Sequence, residues 1–344
     1  MVTDTVSFLS KRPHCLVLDV RSPEEYRRGH IPGAVSFPLF SDTERAEVGT
    51  LYVRQSRQAA VERGLEFVGP RMAQMVREAR ELAAGREIAL YCWRGGMRSE
   101  SVEWLLSVGG LHTFRLRGGY KAYRQHFPDL LQQHRWRFII LGGYTGSGKT
   151  LILHELAQMG AQVIDLEGLA RHKGSAFGAL GQESQPTTEQ FMNLLHDALA
   201  ICDPDKPVWL ESESKTIGHV FLPDDFYGLM RQAPMIELLL PRPVRVAHIA
   251  AEYGSFDREE LADAFGRIAR RMGGAATTHA IDAVREGRLE EAISLALDYY
   301  DKAYAHSLSD FRETPMLQLS AETDSPHETA IRLLGLSHQK GLHQ

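Results

Sequence analysis

The stretch that most restricts how this chain can fold is FIILGGYTGSGKT, residues 138–150. An apolar run of strand length ends in a glycine-rich turn, and Lys149 and Thr150 open a segment with helical spacing. Gly143-Tyr144-Thr145-Gly146-Ser147-Gly148-Lys149-Thr150 fits G-x-x-x-x-G-K-[ST] in full. A strand that is apolar without alternation is buried on both faces, and a helix directly behind it covers one of them. The pattern therefore demands an α/β layer structure with a mostly parallel sheet. Its glycines bare backbone N–H groups toward a phosphate chain, Lys149 supplies a cation, and Thr150 could hold Mg2+ through its hydroxyl. The loop specifies a di- or triphosphate, of which ATP is one.

An acidic partner belongs at the end of a later strand. VWLESES (208–214) offers Glu211 and Glu213; VIDLEG (163–168) offers Asp165 and Glu167. Glu211 is favoured because the more apolar run leads into it, with Asp165 as the next choice.

The same strand–helix rhythm runs through the chain. CLVLDV (15–20), HIPGAVSFP (30–38), EIALY (87–91) and HTFRL (112–116) read as short strands, and residues 70–84 as a helix behind Pro70. Charge then clusters at HRWR (134–137), just before the phosphate-loop strand. We divide the chain into residues 1–134 and 135–344. The second part continues with helix 149–159, strand 162–165, helix 188–200 and strands at 208–211 and 235–240. From 243 to 305 it is almost wholly helical, PMLQL (315–319) reads as a late strand, and the polar SHQKGLHQ (337–344) as a fraying end. The fold class is thus α/β: a parallel-sheet domain, then a P-loop NTPase-like α/β domain with a helical C-terminal part. A length of 344 residues suits two domains.

The second chemical site is Cys92-Trp93-Arg94-Gly95-Gly96-Met97-Arg98-Ser99, between a strand and a helix. Backbone N–H groups converge in such a loop, the helix N-terminus adds positive potential, and Arg94 and Arg98 add fixed charge. All of these favour a thiolate and an anion beside it. A structural cysteine needs none of these features. A cysteine, five residues, then arginine is also the spacing of phosphatase loops. Upstream, Asp19-Val20-Arg21, Glu25-Tyr26 and Gly29-His30-Ile31-Pro32-Gly33-Ala34 closely resemble the rhodanese N-terminal signature, so the first domain is read as rhodanese-like. Its cysteine loop is one residue longer than is usual in rhodaneses, which would enlarge the pocket enough for a tetrahedral anion.

The order of the two motifs in one chain, CWRGGMRS and then the P-loop, resembles the tRNA 2-selenouridine synthase family. GTLYVRQS (49–56), RGGYKAYR (117–124), DLEGLARHKGSAFG (165–178) and RRMGG (270–274) agree with it, and the longer cysteine loop is the form that family shows. The resemblance implies a two-step conversion of wobble 2-thiouridine in a tRNA anticodon loop. Geranyl diphosphate first alkylates the sulfur; selenium from selenophosphate then displaces S-geranyl to leave 2-selenouridine. It implies Cys92 as the selenium carrier, tRNA as partner, and an enzyme that supplies selenophosphate as a second partner. Geranyl diphosphate as the ligand of Gly143, Thr145, Gly146, Ser147, Gly148, Lys149 and Thr150 is our own reading. The runner-up is a rhodanese-type sulfurtransferase fused to an ATPase or kinase; a regulatory tRNA-binding protein would need neither Cys92 nor Lys149.

A net charge of −5 leaves tRNA to a local basic patch. Arg267, Arg270 and Arg271 on a predicted helix are the first candidates. Arg242 with Arg245, and Arg54 with Arg57 in a loop, are the others; each could equally be a solvated face. His172 with Gly174, Ser175 and Gly178 could line a substrate pocket or form a plain loop, while His14 and His30 read as structural. Cys15, Cys92 and Cys202 form neither a disulfide framework nor a zinc spacing, so no metal site is expected among them. The opening residues do not read as a signal peptide and no apolar run reaches the ~20 residues of a membrane span, which points to a cytoplasmic protein without a membrane partner.

Overall fold

A computed structural model of the chain describes residues 1–308, 316–321 and 325–342. It forms two compact units, Met1–Leu130 and Leu131–Gln344, with the division inside the helix Gly119–Gln133.

The first unit holds five strands: β1 (Val2–Thr3), β2 (Leu16–Asp19), β3 (Val35–Ser36), β4 (Ile88–Tyr91) and β5 (Thr113–Leu116). They lie in the order β1-β5-β4-β2-β3, every pairing parallel. β2 and β4 are buried at every position, as their apolar runs require; the exception in composition is Asp19, which ends β2 buried. Leu18, Leu90, Val102 and Leu106 pack on one face of the sheet, and Phe8, Phe114, Tyr120 and Tyr123 on the other. Chain direction from the central strand β4 switches between β5 and β2, and this opens a crevice beyond its C-terminal end. Cys92 is the next residue.

The second unit repeats the plan. β6 (Phe138–Gly143), β7 (Gln162–Ile164), β8 (Val208–Glu211), a hairpin of β9 (Thr216–Ile217) and β10 (Val220–Phe221), β11 (Met235–Leu239) and β12 (Met316–Ser320) follow in sequence. The main sheet has the order β12-β11-β6-β8-β7, all parallel, and the β9–β10 hairpin is antiparallel. The central strand β6 is again the one whose C-terminal end carries the chemical loop. Helices from Arg242 onward pack a separate apolar cluster around Phe265, Ala280, Val284 and Ala292.

Three expectations are corrected. The C-terminal stretch does not fray from Ser337: the helix Pro326–Gln339 extends into it as far as Gln339, with Ser337 fully buried and Leu333 in the core. Polar composition hid a helix whose apolar stripe is narrow. Arg54 and Arg57 do not sit in a loop; they end the helix Asp42–Arg54 and begin Arg57–Val68. The predicted helix under Arg267, Arg270 and Arg271 is two, Arg258–Arg267 and Ala269–Met272, divided at the buried Ile268. Pro315, the first residue of the predicted late strand, lies outside the described residues.

Candidate functional site

The cysteine loop is fixed from below by the segment after β5. Tyr120 N–H donates to Cys92 O (2.8 Å) and Lys121 N–H to Trp93 O (2.9 Å). Arg115 Nη1 donates to Gly95 O (2.9 Å). Gly119 makes this approach possible: φ is +60°, and a Cβ there would stand 2.2 Å from Cys92 O. Cys92 itself is 3% exposed, and Sγ lies 3.3 Å from Ser99 Oγ, which donates to Gly96 O (3.0 Å). The helix Met97–Val108 begins at Gly96, so its positive end faces the thiol region. Trp93, Arg94 and Met97 are exposed on the rim.

The two arginines of the loop are not equivalent. Arg98 pairs with Glu25 (2.6 Å), and these contacts hold the Glu25 carboxyl below its ordinary range against the opposing effect of burial. Part of the Arg98 charge, expected to serve an anion in the loop, is thus met within the protein by Glu25, while Arg94 keeps an exposed side chain. The rest of the rhodanese-like signature is architecture. Arg21 and Asp19 form a buried ion pair (2.5 Å), Arg21 donates to Gly29 O (2.6 Å), and its guanidinium lies 3.9 Å from the Tyr120 ring centre. Tyr26 OH donates to Ala34 O (2.7 Å), and His30 stacks on the Tyr26 ring at 3.9 Å, in keeping with a structural histidine.

In the second unit, the helix Lys149–Gln158 leaves the phosphate loop directly. Lys149 Nζ reaches back to Gly143 O (2.9 Å). Ser147 Oγ is buried and has no protein partner among the described residues, a donor suited to a phosphate oxygen. Arg245, a secondary candidate for a nucleic-acid contact or a solvated face, is instead buried: it grips Asp301 through two 2.8 Å bonds and donates to Thr145 O (3.1 Å). It holds the loop's shape. Arg242 pairs with Asp298 (2.6 Å).

The carboxylate that meets the loop is Glu167, whose Oε2 accepts from Thr150 Oγ1 (3.1 Å). Glu211 does not play the expected part. It is fully buried at the end of β8, where Oε2 accepts from Leu166 N–H (3.0 Å), and burial pushes its carboxyl well up. Glu213, two residues on, has left the sheet and shares a hydrogen bond with Glu167. Burial and the Glu167 charge push Glu213 up to about 8, with Lys149 opposing; burial also raises Glu167. Gly174, at φ +65°, leaves room for this pair, since a Cβ there would stand 2.9 Å from Glu213 and 3.0 Å from Glu167 oxygens. Asp165 faces His154 rather than Thr150 (3.0 Å).

Around these groups lies a cavity of about 1170 Å3. Its lining joins the phosphate loop, Glu167 and Glu213 to an apolar wall that includes Phe177, Tyr253, Phe265, Ile293 and Tyr300. Phe177 packs edge-on against Phe265 (4.8 Å between centres), and Tyr300 OH accepts from Ala176 N–H (3.1 Å). Gly174 and Ser175 also line it; His172 is not among the lining residues, and its ring lies against Gly178. Of the three candidate tRNA arginines, all exposed, Arg271 lines the cavity. Among the described residues, no group of three or more His, Cys, Asp or Glu side chains could hold a metal ion, and no helix is long and apolar enough to cross a membrane. The aromatic wall was missed in the sequence because its members are scattered over a turn, at Phe177, and three helices whose apolar residues read as core.

Residues 136–325 match the family described as the tRNA 2-selenouridine synthase AAA domain, and residues 4–126 match the rhodanese-like domain. The tRNA 2-selenouridine synthase of Pseudomonas fluorescens (strain Pf0-1) is 38% identical over 77% of this chain and 73% of its own length. That of Aeromonas salmonicida (strain A449) is 32% identical over 86% and 88%. That of Sulfurovum sp. (strain NBC37-1) is 32% identical over 90% and 89%.

Proposed function

This chain belongs to the tRNA 2-selenouridine synthase family, and on that premise we propose that it converts wobble 2-thiouridine to 2-selenouridine in two steps at two sites. A thiocarbonyl sulfur is a poor leaving group, and alkylation makes it a good one. The first step joins the sulfur to the geranyl group of geranyl diphosphate; the second brings selenium to C2 and expels geranylthiolate.

The observation that carries this reading is the composition of the cavity in the second unit. A nucleoside triphosphate pocket asks for polar groups around base and ribose; here a phosphate loop opens onto a lining in which an aromatic and aliphatic wall stands beside the polar groups. That combination suits a ligand with an anionic head and an apolar tail. The volume exceeds the ~300–1000 Å3 common for small-molecule pockets, which leaves room for a nucleobase beside the prenyl chain. Lys149 and the buried Ser147 hydroxyl face charge that grows on the diphosphate as the C–O bond breaks. A magnesium ion, if it accompanies the diphosphate, would be held by Thr150 and would neutralise part of that charge. Cys92, at the end of β4 beneath a helix N-terminus, is the proposed residue of the selenium step, and selenophosphate, delivered by a separate enzyme, is the proposed donor: its selenium attacks C2, geranylthiolate leaves with the C2–S pair, and water takes the phosphoryl group as phosphate, so that nothing is oxidised or reduced.

The test is mass spectrometry of tRNA nucleosides after incubation with the protein and geranyl diphosphate, alone and then with selenophosphate. S-geranyl-2-thiouridine is expected with the first co-substrate and 2-selenouridine with both. Formation of 2-selenouridine with no need for geranyl diphosphate would overturn the two-step reading.

A further inference from the structure

The helix Lys149–Gln158 carries Thr150, Leu151 and His154 on the cavity side, positions three and four apart that a helix stacks on one face. Thr150 meets Glu167. One turn on, His154 Nε2 lies 3.0 Å from Asp165 Oδ2. Asp165 is itself oriented, because Oδ1 accepts from Gly168 N–H (2.7 Å) at the start of the helix Leu166–Ala170. An ionised carboxylate only accepts, so Nε2 carries the ring hydrogen and Nδ1 is left as the basic nitrogen. His154 is 53% exposed and lines the same cavity as the phosphate loop, as does Asp165.

The chemistry of sulfur alkylation calls for such a group. A neutral 2-thiouracil ring carries hydrogen on N3. When its sulfur bonds to an alkyl carbon, C2=S becomes C2–S, a C2=N3 double bond forms, and the N3 proton must go elsewhere. Glu167 and Glu213 are engaged with Thr150 and with each other; the imidazole nitrogen opposite Asp165 is not so engaged.

We infer that His154, oriented by Asp165, accepts the N3 proton as the prenyl group is transferred, an inference that rests on the reading of this cavity as the prenyl-transfer site. In that step the S–C1 bond forms and the C1–O bond breaks with its electron pair leaving on diphosphate. The N3–H pair becomes the new C2=N3 bond, and the proton passes to Nδ1, where Asp165 steadies the imidazolium. Nothing is oxidised or reduced. Asp165 faces the ring directly, and Lys149, Glu167 and Glu213 are further charged groups of the same cavity.

The experiment follows single-turnover formation of S-geranyl-2-thiouridine in a 2-thiouridine-bearing anticodon stem-loop, with full-length protein and geranyl diphosphate. His154→Gln should slow it by about 10²- to 10⁴-fold at neutral pH. The defect should shrink as pH rises, because the N3–H then ionises unaided, and geranyl diphosphate should bind with unchanged affinity. Free imidazole should restore part of the rate to His154→Ala. No defect, or a defect of one size at every pH with no imidazole rescue, would overturn the role of His154. If Lys149→Ala forms S-geranyl product no more slowly than the unaltered protein, the prenyl-transfer reading of the cavity falls first and this inference falls with it.

Discussion

Glu213 is one of the buried carboxyl groups, with Glu211 and Glu167, through which the second unit should respond to pH. Burial and the neighbouring Glu167 push it up to about 8 from the ordinary 4.5. The folded chain therefore keeps a proton that the unfolded chain releases between those two values. Stability that is fully present below the unfolded value is lost as pH rises through the folded one. Glu213→Gln keeps the shape and a hydrogen-bond donor to Glu167 but cannot ionise. It should melt close to the unaltered protein at about pH 5 and higher than it at about pH 9, by roughly 2–4 °C for each kcal/mol relieved. Calorimetry at both pH values decides; an equal shift at each would mean that repacking, and not charge, is responsible.

At the scale of elements, the exposed arginines are carried on helix ends. Arg267 closes one short helix, and Arg270 and Arg271 close the next. Their replacement by alanine should weaken tRNA binding and flatten its dependence on salt by roughly one unit of slope per lost phosphate contact. Filter binding across a salt series measures this, and unchanged affinity and slope would turn attention to Arg54 and Arg57, which flank a two-residue turn between helices. How far such features were legible depends on their physics. β2, β4, β6 and β8 stood out because a strand covered on both faces is apolar without a break. β1 is two residues long at a sheet edge, with no pattern to read. The phosphate and cysteine loops were legible because backbone geometry fixes the spacing of their glycines. The carboxylate was misread for a reason of the same kind. The apolar run that led to Glu211 marks a residue the sheet encloses; the carboxylate that meets Thr150 is Glu167, on the short helix after β7, and Glu213, beyond the strand end, turns toward Glu167. His154 and Asp165 are eleven residues apart in sequence, and nothing but the fold brings them together.

At the scale of the whole molecule, each unit places its chemical loop beyond the central strand of its own five-stranded parallel sheet, Cys92 after β4 and the phosphate loop after β6. Neither loop takes a sheet-building residue from the other unit, so each site should survive the loss of the other. Lys149→Ala removes a cation facing the departing diphosphate, and a loss on the order of 10²-fold in sulfur alkylation is expected from deleting one such stabiliser. That variant should still convert tRNA that is already geranylated. Cys92→Ser keeps the loop's shape but lacks the thiol of the selenium step, and should accumulate S-geranyl-2-thiouridine. The two variants mixed in one tube should together make 2-selenouridine, because the geranylated tRNA released by Cys92→Ser is a substrate for Lys149→Ala. Nucleoside mass spectrometry of each variant and of the mixture reads the outcome. If Cys92→Ser blocks alkylation as strongly as Lys149→Ala does, the sites are not independent. If each variant performs its own half-reaction but the mixture makes no 2-selenouridine, the intermediate never leaves the protein that forms it, and both steps belong to one binding event.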